Sequence, residues 1–314
     1  MALLLALGTT SESDSGALKN LLLLINPRAG AGRAQRLLSD VERRFRAQGV
    51  EVTTCCSTAP GNLRSVLAQR ELAEFDGVVA VGGDGTVFEA LNGLMSHRPE
   101  TRPPLGVVPL GTGNAFARDL GLPAGDWQSA LALIVRGACR PIDVGQVDCA
   151  DGRLFFLNIA GIGFVVAGAM TASRLKAIGK SAYTLAALWQ TLKLQSSLLR
   201  IEIDGHMIEQ DNLFAEISNS RFTGTSFLMA PAARLDDGLL DMTLVRKLSR
   251  IRLLSLFPTI YSGSHVNYPE VTVTQGRHFH IFEPVGSPML IDGELVGVTP
   301  AEIRCLPAEL RIFA

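Results

Sequence analysis

The sequence predicts two domains in series: an α/β domain built on a parallel sheet, followed by a C-terminal antiparallel β-sheet or β-sandwich. Three observations carry this. In the first half, buried apolar runs of strand length alternate with helical patterns, and a glycine-rich loop stands at each junction. From about Pro141 onward, short runs with a period of two take over. The chain also has 314 residues, 47% of them hydrophobic and 19% charged, enough for two separate cores.

The start, MALLLALGTTSESDSG, has an apolar run but no positively charged n-region, so residues 1–17 are expected to form a flexible tail and not a signal peptide. Leu21 to Ile25 is a continuous apolar strand, followed by the loop NPRAGAGR and by Leu37, Leu38, Val41 and Phe45 at helical spacing. Val78 to Val81, GGDGT, and Val87, Phe88, Leu91 and Leu94 repeat the plan. Leu105 to Leu110, GTGN, and Phe116 and Leu120 repeat it again. Right-handed crossovers in a parallel sheet bring all three loops to its carboxyl edge. In the second half LRIEID, LFAEIS, LDMTLV, VTVT, HFHIF and MLIDG read as antiparallel strands. Leu175, Ile178, Ala182, Leu185, Leu188 and Leu192 interrupt them at helical spacing.

Composition removes several functions. Lys and Arg number 29 against 30 Asp and Glu, a net charge of -1 that argues against a general nucleic-acid binder. Arg28, Arg33, Arg36, Arg43, Arg44 and Arg46 are broken by Asp40 and Glu42 and read as a solvated helix face. The five cysteines form no CxxC pair or zinc-ligand spacing, which fits a reducing cytoplasm. Residues 154–173 are twenty without a charge, the length of a membrane span, but their glycines, Asn158 and the strand-like LFFLNIAG favour buried structure.

Glycine loops at helix N-termini expose unpaired N–H groups and the positive end of a helix dipole, as phosphate binding requires. No GxxxxGK[ST] occurs, and GAGRAQ breaks the GxGxxG pattern at its last glycine. Two acidic stretches add candidate chemistry. RLDDGLLD is a turn before a strand or, with one carboxylate and backbone carbonyls, a site for Mg²⁺. IDGELVG is an Asp-Gly hairpin turn from which Glu294 or Asp292 would face the cleft as a base.

The order INPRAGAGR, VVAVGGDGTVFEALNGL, PLGVVPLGTGNAFARDLGLP, RLDDGLLDMTLV and IDGELVG resembles the diacylglycerol kinase catalytic-domain family, over about residues 20–314. That family includes sphingosine and ceramide kinases, and the compact length is most similar to its bacterial members. The resemblance implies a fold of the NAD kinase/diacylglycerol kinase type: a nucleotide-binding α/β domain over 18–143, to which about 300–314 return, and a β-rich lipid-substrate domain over 144–299. It implies ATP and Mg²⁺, and transfer of a phosphoryl group to the hydroxyl of diacylglycerol or a sphingoid or related lipid. By motif, Asn26 lies by the nucleotide. Gly82, Gly83, Asp84, Gly85 and Thr86 cradle its phosphates, and Thr112 completes the pocket. Ser57 or Thr58 matches a nucleotide-contacting threonine, with Thr58 preferred. Asp237 with the Arg234 and Leu239 carbonyls matches a metal site, Asp84 an organiser of metal and phosphates, and Glu294 the proton acceptor, with Asp292 its rival. Ala115 and Val165 depart from the family, which often has acidic residues there.

The expected partner is a lipid at a membrane surface. A cytoplasmic protein would visit that surface through KLSRIRLLSLFP (247–258) or, alternatively, would pack that helix on its own domain. A homodimer is the one protein partner considered. GGDGT is shared with NAD kinases, so an NAD kinase and a non-catalytic nucleotide sensor stand as the alternative functions.

Overall fold

The protein is described by a computed structural model over residues 18–123, 125–174 and 196–314. The tail at 1–17 and the helical pattern from Leu175 to Leu192 lie outside the described residues.

The first domain alternates strands and helices: β1 (Asn20–Ile25), α1 (Ala29–Ala47), β2 (Glu51–Cys56), α2 (Asn62–Gln69), β3 (Gly77–Gly82), α3 (Asp84–Leu94), β4 (Leu105–Pro109), α4 (Ala115–Asp119) and α5 (Trp127–Val135). The strands lie in the order β2-β1-β3-β4, all parallel. Leu21 to Ile25 and Val78 to Val81 are wholly enclosed, as expected of a sheet covered on both faces. β2 escapes the apolar-run criterion because it is the edge strand, and EVTTCC is only partly buried.

The second domain contains β5 (Cys139–Cys149), β6 (Gly152–Phe156), β7 (Ile159–Gly163), α6 (Phe164–Arg174), β8 (Ser197–Ile203), β9 (His206–Ser218), β10 (Phe222–Thr223), β11 (Phe227–Leu228), β12 (Leu240–Arg246) and α7 (Arg250–Leu256). It continues with β13 (Val271–Gly276), β14 (His278–Glu283), β15 (Pro288–Ile291), β16 (Glu294–Val298) and β17 (Ala301–Phe313). Apart from one contact of β17 with β4, the strand pairs here are antiparallel. Phe156, Met242, Phe279 and Ile303 belong to a core separate from the first.

LFFLNIAG is two strands and not one. The chain turns between β6 and β7 at Leu157 and Asn158, whose backbone N–H groups donate to the Asp292 carboxylate instead of to a neighbouring strand. No helix among the described residues is long and apolar enough to cross a membrane.

β17 belongs to both cores. Ala301, Ile303 and Cys305 lie in the second and Leu310, Ile312 and Phe313 in the first, where Ile312 pairs in parallel with Leu105. The Phe313 ring fills the space left by two glycines: a Cβ on Gly77 would stand 2.7 Å from it, and one on Gly106 3.2 Å.

Candidate active site

Because β1, β3 and β4 are parallel and in register, Ile25 beside Cys56 and Val81 and Gly82 beside Pro109, the loops that follow them share one edge. They touch through backbone. The Gly82 carbonyl accepts from Leu110 N at 2.8 Å and Gly111 N at 3.0 Å. A Cβ on Gly111 would lie 2.3 Å from Gly83 Cα, and one on Gly30, whose φ is +57°, 2.1 Å from the Leu110 carbonyl oxygen. Glycine is needed here for approach as well as for conformation. The N-cap residues of α1 and α3, Arg28 and Gly83, make no side-chain cap. Part of each start is satisfied by backbone, Ala29 N by the Asn26 carbonyl at 3.0 Å and Thr86 N by the Gly83 carbonyl at 2.9 Å, and Gly30, Ala31 and Gly32 turn through positive φ before α1 becomes regular.

Two side chains organise this edge. Asn114, at φ +56°, closes the GTGN turn: its Oδ1 accepts from Gly111 N at 3.1 Å and its Nδ2 donates to the Gly111 carbonyl at 2.9 Å. Asp84 opens α3 and reaches α4, where its Oδ1 accepts from Ala115 N at 2.8 Å. Burial raises its pKa above the ordinary value, opposed by backbone donors at the start of α4 and by Arg118. Its Oδ2 lies 2.5 Å from where a Cβ on Gly113 would stand. The Thr86 side chain is turned inward against Gly82 and is buried.

The second domain delivers its acids on a hairpin. β15 and β16 are joined by Asp292 and Gly293, at φ +47° and +90°, the paired positive angles of a type I′ turn. Asp292 points inward and is buried. Its Oδ2 accepts from Leu157 N at 2.9 Å, and its Oδ1 from Asn158 N at 2.8 Å and Ile159 N at 2.9 Å. Burial pushes its pKa up to about 7 despite those donors, and the charge of Asp84 acts in the same direction. Glu294 points the other way and is exposed, with Oε1 2.7 Å from the position of a Cβ on Gly85. The hairpin thus sets a carboxylate against the first turn of α3.

Asn26 and Thr58 stand at the ends of the adjacent strands β1 and β2. Asn26 Oδ1 accepts from Arg28 N at 3.0 Å, and Thr58 N donates to Asn62 Oδ1 at 3.2 Å. Thr112 is exposed at the tip of GTGN. Sequence reasoning assigned no role to Asn114, although asparagine in a glycine turn is the signal for a left-handed position. It also missed Glu89, whose carboxylate accepts from Gly61 N at 2.9 Å and Leu63 N at 2.8 Å and so fixes the loop bearing Thr58.

RLDDGLLD is held by contacts of its own. Asp237 Oδ1 accepts from Leu239 N at 3.1 Å, and Asp236 is paired with Arg140 and Arg234. Buried Asp143 holds the turn through Gly238 N at 2.7 Å and Ala308 N at 2.8 Å. Burial pushes the nearby Cys305 thiol up to about 12, and the charges of Asp143 and Asp237 add to the shift. Asp237 with the Arg234 and Leu239 carbonyls is an all-oxygen donor set in a negative environment, which fits a hard cation. Among the described residues no group of three or more His, Cys, Asp or Glu could hold a metal.

Beside the loops, an apolar pocket lies between α6, β9 and α7. Phe164, Val165, Phe214, Phe227, Val245 and Leu253 are among its walls. Val165 thus contributes apolar surface to the pocket.

A two-domain fold with glycine loops at a sheet edge and an opposed carboxylate is the arrangement of a phosphoryl-transfer enzyme. Comparison agrees. Residues 20–147 match the diacylglycerol kinase catalytic domain, and residues 159–314 match the YegS C-terminal NAD kinase beta sandwich-like domain. The diacylglycerol kinase of Mycobacterium tuberculosis is 34% identical over 293 residues, 92% of this chain and 93% of that one. That of Bacillus subtilis is 31% identical over 287 residues, 91% and 93%. A diacylglycerol kinase structure from Bacillus anthracis superposes with a TM-score of 0.78 at 27% identity, covering 94% of this chain and 96% of the other. The chain belongs to the diacylglycerol kinase catalytic-domain family, and is a lipid kinase at the level of that family.

Proposed function

We propose that this protein transfers the γ-phosphoryl group of ATP to the free hydroxyl of diacylglycerol, in the presence of Mg²⁺. The observation that carries the reading is Glu294 Oε1 beside Gly85: a carboxylate from the lipid-side domain set against the phosphate loop of the other. Glycine at Gly85, Gly111 and Gly113 lets backbone approach Glu294, Gly83 and Asp84, where a Cβ would come within 2.7 Å, 2.3 Å and 2.5 Å, and leaves loop N–H groups as the natural partners of a polyphosphate. Bound Mg²⁺ would supply charge neutralisation on the phosphates.

The chain's own residues divide the remaining work. Backbone N–H groups of the loops after β1, β3 and β4 hold the phosphates, with Asn26, Thr58 and Thr112 around the nucleotide. Asp84 locks α3 to α4 and presents its second oxygen to the metal and phosphate side. Glu294 accepts the proton of the acceptor hydroxyl, and Asp292, engaged by three backbone donors, positions the hairpin instead of acting as the base. Asp237 with the carbonyls of Arg234 and Leu239 would hold a second, structural Mg²⁺. The acceptor arrives from a bilayer surface, touched by Ile251 and Leu254, exposed on α7 next to Arg250. Leu253 and Leu256 of the same helix face the protein interior.

Transfer of labelled γ-phosphate to diacylglycerol in mixed micelles with Mg²⁺ tests the reading. Labelled product in the organic phase supports it. Label on NAD included as a soluble acceptor, or on neither acceptor, refutes it.

A further inference from the structure

One wall of the apolar pocket is anomalous. Glu216, in the fully buried half of β9, lines it beside Phe214. The side chain has no exposed surface, its Oε1 accepts from Thr223 Oγ1 at 2.5 Å, and its Oε2 has no hydrogen-bond partner. An oxygen buried without a partner is costly to fold, and persists where a ligand completes it. The pocket also adjoins the GTGN loop. Thr223 and Gly224 line it, and the Gly224 carbonyl is 3.4 Å from the position of a Cβ on Gly113, the glycine that abuts Asp84. A polar group meeting Oε2 therefore lies a short way from the reacting hydroxyl, where an acylated glycerol carries its esters.

We infer that Glu216 is a specificity-determining residue of the acceptor site: its Oε2–H donates a hydrogen bond to an ester carbonyl oxygen of the acceptor lipid, which an ether lacks, and so selects acyl over alkyl chains. The inference rests on the diacylglycerol kinase reading. Burial pushes the Glu216 pKa up to about 7. With Oε1 accepting from Thr223, the proton of the neutral acid resides on Oε2 and faces the pocket. Across the sheet Glu216 is flanked by Gly161 on β7 and Thr243 on β12, neither charged. His265 is the other titratable group of the lining. Burial lowers its pKa below the ordinary value, and its Nε2 is 3.0 Å from the Met229 carbonyl.

The test compares 1,2-diacylglycerol with the 1,2-dialkylglycerol of equal chain length in mixed micelles, for the wild type, Glu216→Leu and Glu216→Gln. The wild type is expected to favour the diacyl lipid by about tenfold in kcat/KM, the worth of one hydrogen bond in a dry site. Glu216→Leu should reduce the preference to about twofold or less. Glu216→Gln, whose amide still donates, should keep it. The wild-type preference should fall as pH rises through about 7, where Oε2 loses its proton, while that of Glu216→Gln stays level. Thermal unfolding reports whether each variant folds, and if Glu216→Leu does not, the pH profiles of the wild type and Glu216→Gln decide. A wild type that uses both lipids equally, or a folded Glu216→Leu that keeps the preference, overturns the inference alone. A wild type that phosphorylates neither lipid overturns the lipid-acceptor reading and the inference with it.

Discussion

Gly85→Ala separates catalysis from stability. The new Cβ would stand 2.7 Å from Glu294 Oε1, where ordinary contact begins at 3.4 Å, so the carboxylate must retreat by about 0.7 Å. Retreat costs the fold little, because Oε1 ends an exposed side chain, and Gly85 lies within α3, where alanine is the better helix former by up to about 1 kcal/mol. Misplacing a catalytic group by about 1 Å costs on the order of 100-fold, so kcat should fall by roughly 10- to 100-fold with Tm unchanged or slightly raised. Steady-state transfer to diacylglycerol, with KM measured for ATP and lipid separately, reads the effect against thermal unfolding. A variant with full kcat would refute the placement of Glu294 as proton acceptor. A rise confined to the KM for ATP would show that the glycine serves the phosphates alone.

Other expectations follow from the same geometry. Glu294→Gln should lower kcat by about 100- to 10,000-fold with Tm unchanged, as expected for loss of a general base. Asp292→Asn tolerates the φ of +47° but turns an N–H toward one backbone donor, and should lower stability by about 1–3 kcal/mol in denaturant titration. It should also remove a pH dependence. The folded carboxyl, with its pKa raised to about 7, binds a proton that the unfolded chain has lost. The stability held by the neutral acid is complete below about pH 4 and is lost as pH rises through about 7. A wild-type Tm level across that interval contradicts this. Asp237→Ala should abolish the rise in Tm that Mg²⁺ gives the wild type, and an equal rise in both proteins would exclude the turn as a metal site.

Much of this was legible because local chemistry decided it. Unbroken apolar runs meeting glycine read as buried parallel strands entering tight glycine loops, and Asp-Gly fixed the hairpin that carries Glu294. The choice between Glu294 and Asp292 was not legible. The two are separated by one residue, and the three N–H groups that draw Asp292 inward come from the turn at Leu157 to Ile159. Glu216 was hidden by its own pattern. In LFAEIS, alternation suggests a solvent face for the glutamate, but β7 and β12 pair with the second half of β9, and α6 and α7 cover the face that carries Phe214 and Glu216. Burial of that kind depends on elements distant in sequence, which no local window contains.

The course of β17 through both cores has a consequence for biosynthesis. Ile312 and Phe313 emerge from the ribosome roughly 200 residues after Leu105, beside which Ile312 pairs. At roughly 5–20 residues per second, the nascent α/β half waits on the order of 10–40 s with the β4 edge open and the hollow over Gly77 and Gly106 unfilled. Its closure waits for β17, and the open edge presented until then is the kind of surface that chaperones exist to cover.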